Sequence, residues 1–198
     1  MAKNSKGPEF ERECCRDLSV WASKGKYDDW YWRSSQSGGR ATTRAKTGRR
    51  TIGQNSDVAA TCSEAEFLTK ECAIEIKRGY NRTALLTDLL DRSIWPGSDE
   101  RKSTILGFLE QTIRSARTGG NTYWMLIHKR DKRLPLVYMP KSLSDLFLKT
   151  TNRIIHHMTM QIELMDGIRE VRIHRLVDML TRFSPDVLKR KKRKDDVE

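Results

Sequence analysis

The chain has 198 residues, enough for one domain with a sizeable hydrophobic core. Its 38 basic residues outnumber its 26 acidic ones, and the formal net charge is +12. The last ten residues contribute only three of these charges, so the surplus belongs mainly to the rest of the chain. We therefore expect a polyanionic partner, most simply nucleic acid. An acidic membrane surface is the rival partner, but no signal peptide, lipidation signal, basic amphipathic helix or membrane-spanning apolar run supports it.

The four cysteines show no spacing typical of a zinc site; they are Cys14, Cys15, Cys62 and Cys72. Reduced and mostly buried thiols are the simplest interpretation. They favour a protein of the cytoplasm.

The first predicted element is a helix from Glu9 to about Ser23. Apolar residues recur along it at helical spacing, namely Phe10, Cys14, Leu18 and Trp21. Glu11 lies beside this apolar stripe, whereas Glu9 and Glu13 lie further round the helix, toward solvent. Glu11 is thus the glutamate best placed to face inward.

A predicted strand over residues 30–35 leads into a basic segment. Residues 33–50 hold six basic residues, three glycines and no acidic residue. A solvated, disordered linker is one interpretation of such a segment. We favour a loop that becomes ordered when its basic residues bind phosphates. Serines and backbone amides of this loop would also contact the backbone of a nucleic-acid strand.

Two short apolar runs that carry carboxylates follow this segment. Asp57 opens the first predicted strand, and Glu75-Ile76-Lys77 lies in the second, eighteen residues later. Side chains alternate along a strand, so Glu75 and Lys77 point to one face while their apolar neighbours point to the core. An exposed cross-strand ion pair is the simplest reading of Glu75 and Lys77. Unpaired charges in a more buried strand would be costly, and a metal ion held with Asp57 would offset that cost.

The rest of the chain is predicted as a mixture of helices and hairpins. We expect only a short acidic turn near Ser63-Glu64 between the two carboxylate strands. Beyond them we predict helices over residues 85–90, 98–118, 142–149 and 176–183, hairpins over 122–139 and 160–174, and a basic block over 189–194. The second hairpin turns at Asp166-Gly167.

The order of these motifs resembles the core of the PD-(D/E)xK nuclease superfamily. Within it, the first 79 residues resemble archaeal Holliday-junction resolvases and their phage relatives. The resemblance rests on Gly7 followed by Glu11-Arg12-Glu13, on the pair Arg33-Ser34, on Asp57 and on Glu75-x-Lys77. Ser56 stands where the superfamily's eponymous proline would be.

The resemblance implies a restriction-endonuclease-like α/β fold with a mixed central sheet flanked by helices. A nuclease-like core would span residues 1–150 and include the basic loop over 33–56. A C-terminal hairpin and helix extension would span 151–188, and a basic disordered tail would span 189–198.

The resemblance also implies a Mg²⁺-dependent endonuclease, with Mn²⁺ able to substitute, no small-molecule cofactor and a homodimeric state. Asp57 and Glu75 would bind the metal together with the Ile76 carbonyl, and Glu11 would bind it directly or through water. Lys77 would orient the attacking water or stabilise charge on the phosphorane. The candidate DNA-binding residues are Arg12, Arg33, Ser34, Arg40, Arg44, Lys46, Arg49, Arg50 and Arg78, and Gln111 is a further candidate near the site.

Three functional hypotheses are compatible with the sequence. The first is an endonuclease that cuts branched or junction DNA as a dimer, since two symmetric nicks need two sites. The second is a non-catalytic nucleic-acid-binding module that uses the basic loop and tail. The third is a site-specific endonuclease of restriction or homing type on the same fold.

Overall fold

A computed structural model of the chain describes residues 6–34, 56–81, 86, 104–152, 155–164 and 167–189. Its helices are α1 (Lys6–Ala22), α2 (Glu66–Glu71), α3 (Thr104–Gly119), α4 (Lys141–Leu148), α5 (Leu176–Arg182) and α6 (Asp186–Lys189). Its strands are β1 (Tyr31–Arg33), β2 (Val58–Ala60), β3 (Cys72–Arg78), β4 (Tyr123–Lys129), β5 (Leu136–Pro140), β6 (Met158–Leu164) and β7 (Gly167–Arg175).

Five strands form one mixed sheet in the order β3-β4-β5-β7-β6. Strands β3 and β4 are parallel, and the chain between them includes α3, as a parallel connection requires. The other three pairs in this sheet are antiparallel. The predicted mixed sheet flanked by helices is therefore confirmed.

A separate antiparallel pair, β1 and β2, lies next to β3. The amide of Asp57 donates a hydrogen bond of 3.0 Å to the carbonyl of Ile74, which joins the pair to the edge of β3 that faces away from β4. The start of β2 is thus fixed beside the middle of β3.

The two faces of β3 pack against different helices. Ile74 and Ile76 belong to the core that contains Phe10 of α1, whereas Ala73 belongs to the core under α3. Full burial of each isoleucine side chain contributes roughly 1.5–3 kcal/mol. The predicted alternation of this strand is confirmed, and Glu75 and Lys77 lie on the α3 side.

The predicted N-terminal helix is also confirmed, although it begins at Lys6. Its four apolar stripe residues are buried, while Glu9 and Glu13 are exposed. The indole N–H of Trp21 donates to the Phe183 carbonyl at 2.8 Å, which joins α1 to the C-terminal helices.

The predicted short turn between the carboxylate strands is wrong. A 3₁₀ turn over Ser63–Ala65 and helix α2 fill this interval. Ala65 and Leu68 are fully buried there, so core packing favours a helical turn over an exposed connection. Asn121 holds α2 in place by donating to the carbonyls of Thr69 and Lys70 at 2.8 and 3.0 Å.

The C-terminal hairpin forms as predicted, and β7 pairs with β5 in the central sheet. Gly167 has a φ of +114°, a conformation that glycine adopts readily at the end of a turn. The predicted turn residue Asp166, the helix predicted over 85–90, the start of the helix at Ser98 and most of the basic loop and tail lie outside the described residues.

Candidate active site

Asp57 is held at the edge of β3 by its backbone and its side chain. Its carboxylate is buried, and Oδ2 accepts a 2.8 Å hydrogen bond from the Ile76 amide. Its own amide is bound to Ile74, so the two contacts lie on either side of Glu75 along β3. Ser34 adds a third restraint, because its amide donates to the Asp57 carbonyl at 2.9 Å.

Lys77 lies between the two carboxylates. Its Nζ is 3.0 Å from Glu75 Oε2 and 3.8 Å from Asp57 Oδ2. The aromatic ring of Phe108 lies 6.0 Å from the same ammonium group. The structure therefore brings together the three residues that the sequence singled out, with one ammonium group between two carboxylates.

Burial and the neighbouring charge of Asp57 disfavour the ionised form of Glu75. Burial first, and then the charge of Asp57, raise the pKa of Glu75 to about 7, although Lys77 and Ser115 act in the opposite direction. Burial alone would lower the pKa of Lys77, but the carboxylates of Glu75 and Asp57 raise it above its ordinary value. Among the described residues, Glu75 and Asp57 share the ammonium group of Lys77, and further positive charge would stabilise both carboxylates.

The chemistry of these ligands fits a hard divalent cation, because buried carboxylate oxygens are the donors that Mg²⁺ prefers. Within the described ranges, no cluster of three or more His, Cys, Asp or Glu side chains is placed to hold a metal ion. A cation here would therefore bind two carboxylates and complete its shell with backbone or water oxygens.

Helix α3 supplies two further contacts to Glu75. Gln111 Nε2 donates to Oε2 at 3.2 Å, and Ser115 Oγ donates to Oε1 at 3.0 Å. The predicted proximity of Gln111 to the site is thus found, whereas Ser115 was missed. The available signal was its spacing, since residues four apart on a helix lie on one face.

Glu11 and Arg33 form an ion pair beside this centre. The two side chains are only 16% and 27% exposed, respectively. Burial, and then the charges of Glu11 and Asp57, raise the pKa of the buried Cys15 thiol to about 12, whereas the charge of Arg33 lowers it. Glu11 therefore faces inward as predicted, and its carboxylate forms an ion pair with Arg33.

The other predicted DNA-binding residues are dispersed. Arg12 is exposed on α1, whereas Ser34 is buried. Arg78 lies on the opposite face of β3 from Glu75 and contacts Asp131 at 3.8 Å. Five predicted residues lie outside the described part of the chain, namely Arg40, Arg44, Lys46, Arg49 and Arg50.

The aromatic residues around β1 divide between core and surface. Tyr31 is buried, and its hydroxyl donates to the Ala65 carbonyl at 2.9 Å. Trp32 is 58% exposed and precedes Arg33. An exposed indole next to an arginine is a suitable surface for a nucleic-acid strand.

A mixed sheet flanked by helices, with an aspartate at a strand start beside Glu-x-Lys on the adjoining strand, defines the PD-(D/E)xK class of nucleases. Residues 2–190 match the family model described as phage putative PDDEXK endonuclease, and the chain belongs to that family. No curated protein and no solved structure matches the chain.

Three more general predictions concern the substrate, the membrane and the cysteines. Membership of a nuclease family implies DNA as the substrate. None of the described helices is long and apolar enough to cross a membrane. All four cysteines are free, and three of them are buried, as predicted.

Proposed function

We propose that the chain is a Mg²⁺-dependent endodeoxyribonuclease that hydrolyses phosphodiester bonds, with branched or junction DNA as its substrate. The observation that carries this proposal is the arrangement of Asp57, Glu75 and Lys77, with Lys77 Nζ within 4 Å of both carboxylates. Family membership supports the reaction class. The resemblance of Glu11-Arg12-Glu13 and Arg33-Ser34 to resolvase motifs supports the choice of substrate.

Asp57 and Glu75 would hold the metal, and Mn²⁺ would substitute for Mg²⁺. The Ile76 carbonyl is a suitable third ligand, because the N–H and C=O of one strand residue point to the same edge and the Ile76 N–H already meets Asp57. When bound, Mg²⁺ would polarise the scissile phosphate and lower the pKa of the attacking water.

Lys77 would act as a charged donor in the reaction. Its pKa is raised, so it stays protonated at neutral pH and is unsuited to the role of general base. An ammonium group 3.0 Å from Glu75 can hold the attacking water or stabilise the negative charge that develops on the phosphoryl oxygens.

Glu11 would join the metal site directly or through a water molecule, and Arg33 would move from Glu11 to a DNA phosphate. Arg33 is suited to this exchange, because a guanidinium binds carboxylate and phosphate with the same paired geometry. Arg12 and the basic residues of the segment over 33–50 would add further contacts to the backbone of DNA.

Cleavage assays with wild type, Asp57→Asn and Glu75→Gln test the reaction. We expect cleavage in Mg²⁺ or Mn²⁺, none in EDTA, and a rate at least about 100-fold lower in both variants. Glu9→Gln removes an exposed glutamate of α1 and serves as the matched control, with an unchanged rate. DNA binding by wild type without any cleavage would show a non-catalytic binding module instead.

A panel of substrates tests the specificity. A four-way junction, a flap, a plain duplex and a single strand would be compared at equal concentration. We expect preferred cutting of the junction or flap. Cutting of plain duplex at one defined sequence would instead indicate an endonuclease of restriction or homing type.

A further inference from the structure

Strand β6 forms the edge of the central sheet opposite the candidate active site. It pairs with β7 over all seven residues without a bulge, and no strand of the described ranges pairs with its other side. Natural edge strands are usually short, bulged or protected by lysine or proline, which prevents association with another chain. The sequence of β6 holds no proline and no basic residue, and its one charge is Glu163.

Apolar side chains on one face of β6 extend as far as this open edge. Ile162 is buried and Met160 is half-buried in the core under α3, next to Val171 of β7. Met158 at the start of the strand is 41% exposed. An additional strand at this edge would cover the exposed side of these residues.

The order of residues in β6 is compatible with pairing to itself. In an antiparallel pair centred on Gln161, Met160 of one copy lies opposite Ile162 of the other, which continues the apolar face. On the polar face, Thr159 lies opposite Glu163, so the two glutamates do not face each other. A register centred on Glu163 would instead place the two like charges directly opposite each other.

We propose that β6 is a self-association surface, at which two copies of the chain join their central sheets by antiparallel pairing about Gln161. The occupant of the edge is a second copy, because the register matches apolar with apolar residues and keeps Glu163 away from its equivalent. Such a dimer is two-fold symmetric, with the same strand contributed by each copy. The proposal does not depend on nuclease activity.

Sedimentation of the full chain over a range of concentrations tests the proposal. We expect a monomer–dimer equilibrium for wild type and a dissociation constant raised at least about tenfold by Gln161→Lys, which places two lysines opposite each other. Gln161 is exposed, so the monomer keeps its fold. Thr122→Lys adds the same charge at an exposed site outside β6 and should leave the equilibrium unchanged.

A mixture of two variants gives the second test. Gln161→Lys and Gln161→Glu should each be monomeric alone, and an equal mixture should form heterodimers through the opposite charges. A wild type that stays monomeric, a Gln161→Lys variant that dimerises like wild type, or a mixture that remains monomeric would each overturn the proposal. Association is measured without DNA, so a failure of the proposed reaction would not affect these results.

Discussion

Glu75 is a buried carboxylate whose ionised form is disfavoured in the folded chain. Its pKa is raised from 4.5 to about 7 by burial and then by the charge of Asp57. Between these values the folded state keeps a proton that the unfolded state releases. The free energy of unfolding in the absence of metal therefore falls as the pH rises through this window.

Glu75→Gln should remove this pH-dependent loss. In EDTA, we expect the stability of the variant relative to wild type to increase by about 2–3 kcal/mol between pH 5 and pH 8. Urea unfolding at the two pH values measures the change. Glu9→Gln, at an exposed position, should show no such trend, and a relative stability of Glu75→Gln that is the same at both pH values would contradict the raised pKa.

The hydrogen bond from Ser115 to Glu75 predicts a positioning role for Ser115, which the Mg²⁺ and pH dependence of cleavage can test. Its hydroxyl donates to Glu75 Oε1 and lowers the pKa of that carboxyl. Ser115→Ala should raise the Mg²⁺ concentration for half-maximal cleavage about tenfold and shift the pH profile upward. Ser115→Thr should restore both values, and Ser142→Ala on the exposed side of α4 should change neither. A variant with a lower maximal rate but an unchanged Mg²⁺ dependence and pH profile would argue against this role.

At the residue scale, the sequence was sufficient to find Asp57, Glu75 and Lys77 and to place the last two on one face. Side-chain alternation along a strand is a local property, and it follows from the sequence alone. Helical spacing places Ser115 on the same face as Gln111, but the contact between Ser115 and Glu75 also depends on how α3 packs across the sheet, which no local pattern gives. The ion pair of Glu11 with Arg33 depends in the same way on the position of β1 beside α1.

Among the secondary-structure elements, α3 connects the core to the candidate site. Its apolar face was predicted at helical spacing, and Ile105, Leu109, Ile113 and Ala116 are all buried. The adjacent part of its surface carries Gln111 and Ser115, which contact Glu75. The packing of this helix therefore determines where both donors lie.

Leu109→Ala should destabilise the protein by about 2–5 kcal/mol, because Leu109 is fully buried between α3 and the sheet. Urea unfolding gives the measurement. Arg114→Ala, on the exposed side of the same helix, should change the stability by no more than about 0.5 kcal/mol. A loss below about 1 kcal/mol for Leu109→Ala would show that α3 does not pack on the sheet as described.

Among the described residues, the last hairpin has a strong local signal and was predicted correctly, whereas helix α2 depends on packing and was not. The last hairpin follows from two alternating runs around Asp166-Gly167. Helix α2 has only six residues, too few for a helical period to be recognised, and Ser63-Glu64 before it has the composition of a turn. Its helical form depends on buried contacts such as that of Leu68.

At the scale of the whole molecule, the described residues separate two surfaces. The candidate active site lies at the β3 edge, where β1 and β2 adjoin it, and β6 forms the opposite edge. The composition predicted the basic character and the nucleic-acid partner that family membership implies. It could not predict the strand order, which arises from contacts between distant segments.

In a dimer joined at β6, the order of the strands would set the distance between the two candidate active sites. Neighbouring strands are about 4.8 Å apart, so two copies joined at β6 would hold their β3 strands about 43 Å apart, nine spacings along one continuous sheet. One turn of duplex DNA is roughly 34–36 Å long. Paired cuts by such a dimer would therefore be separated by more than one helical turn, and the distance between the two cleaved bonds would report how the subunits are joined.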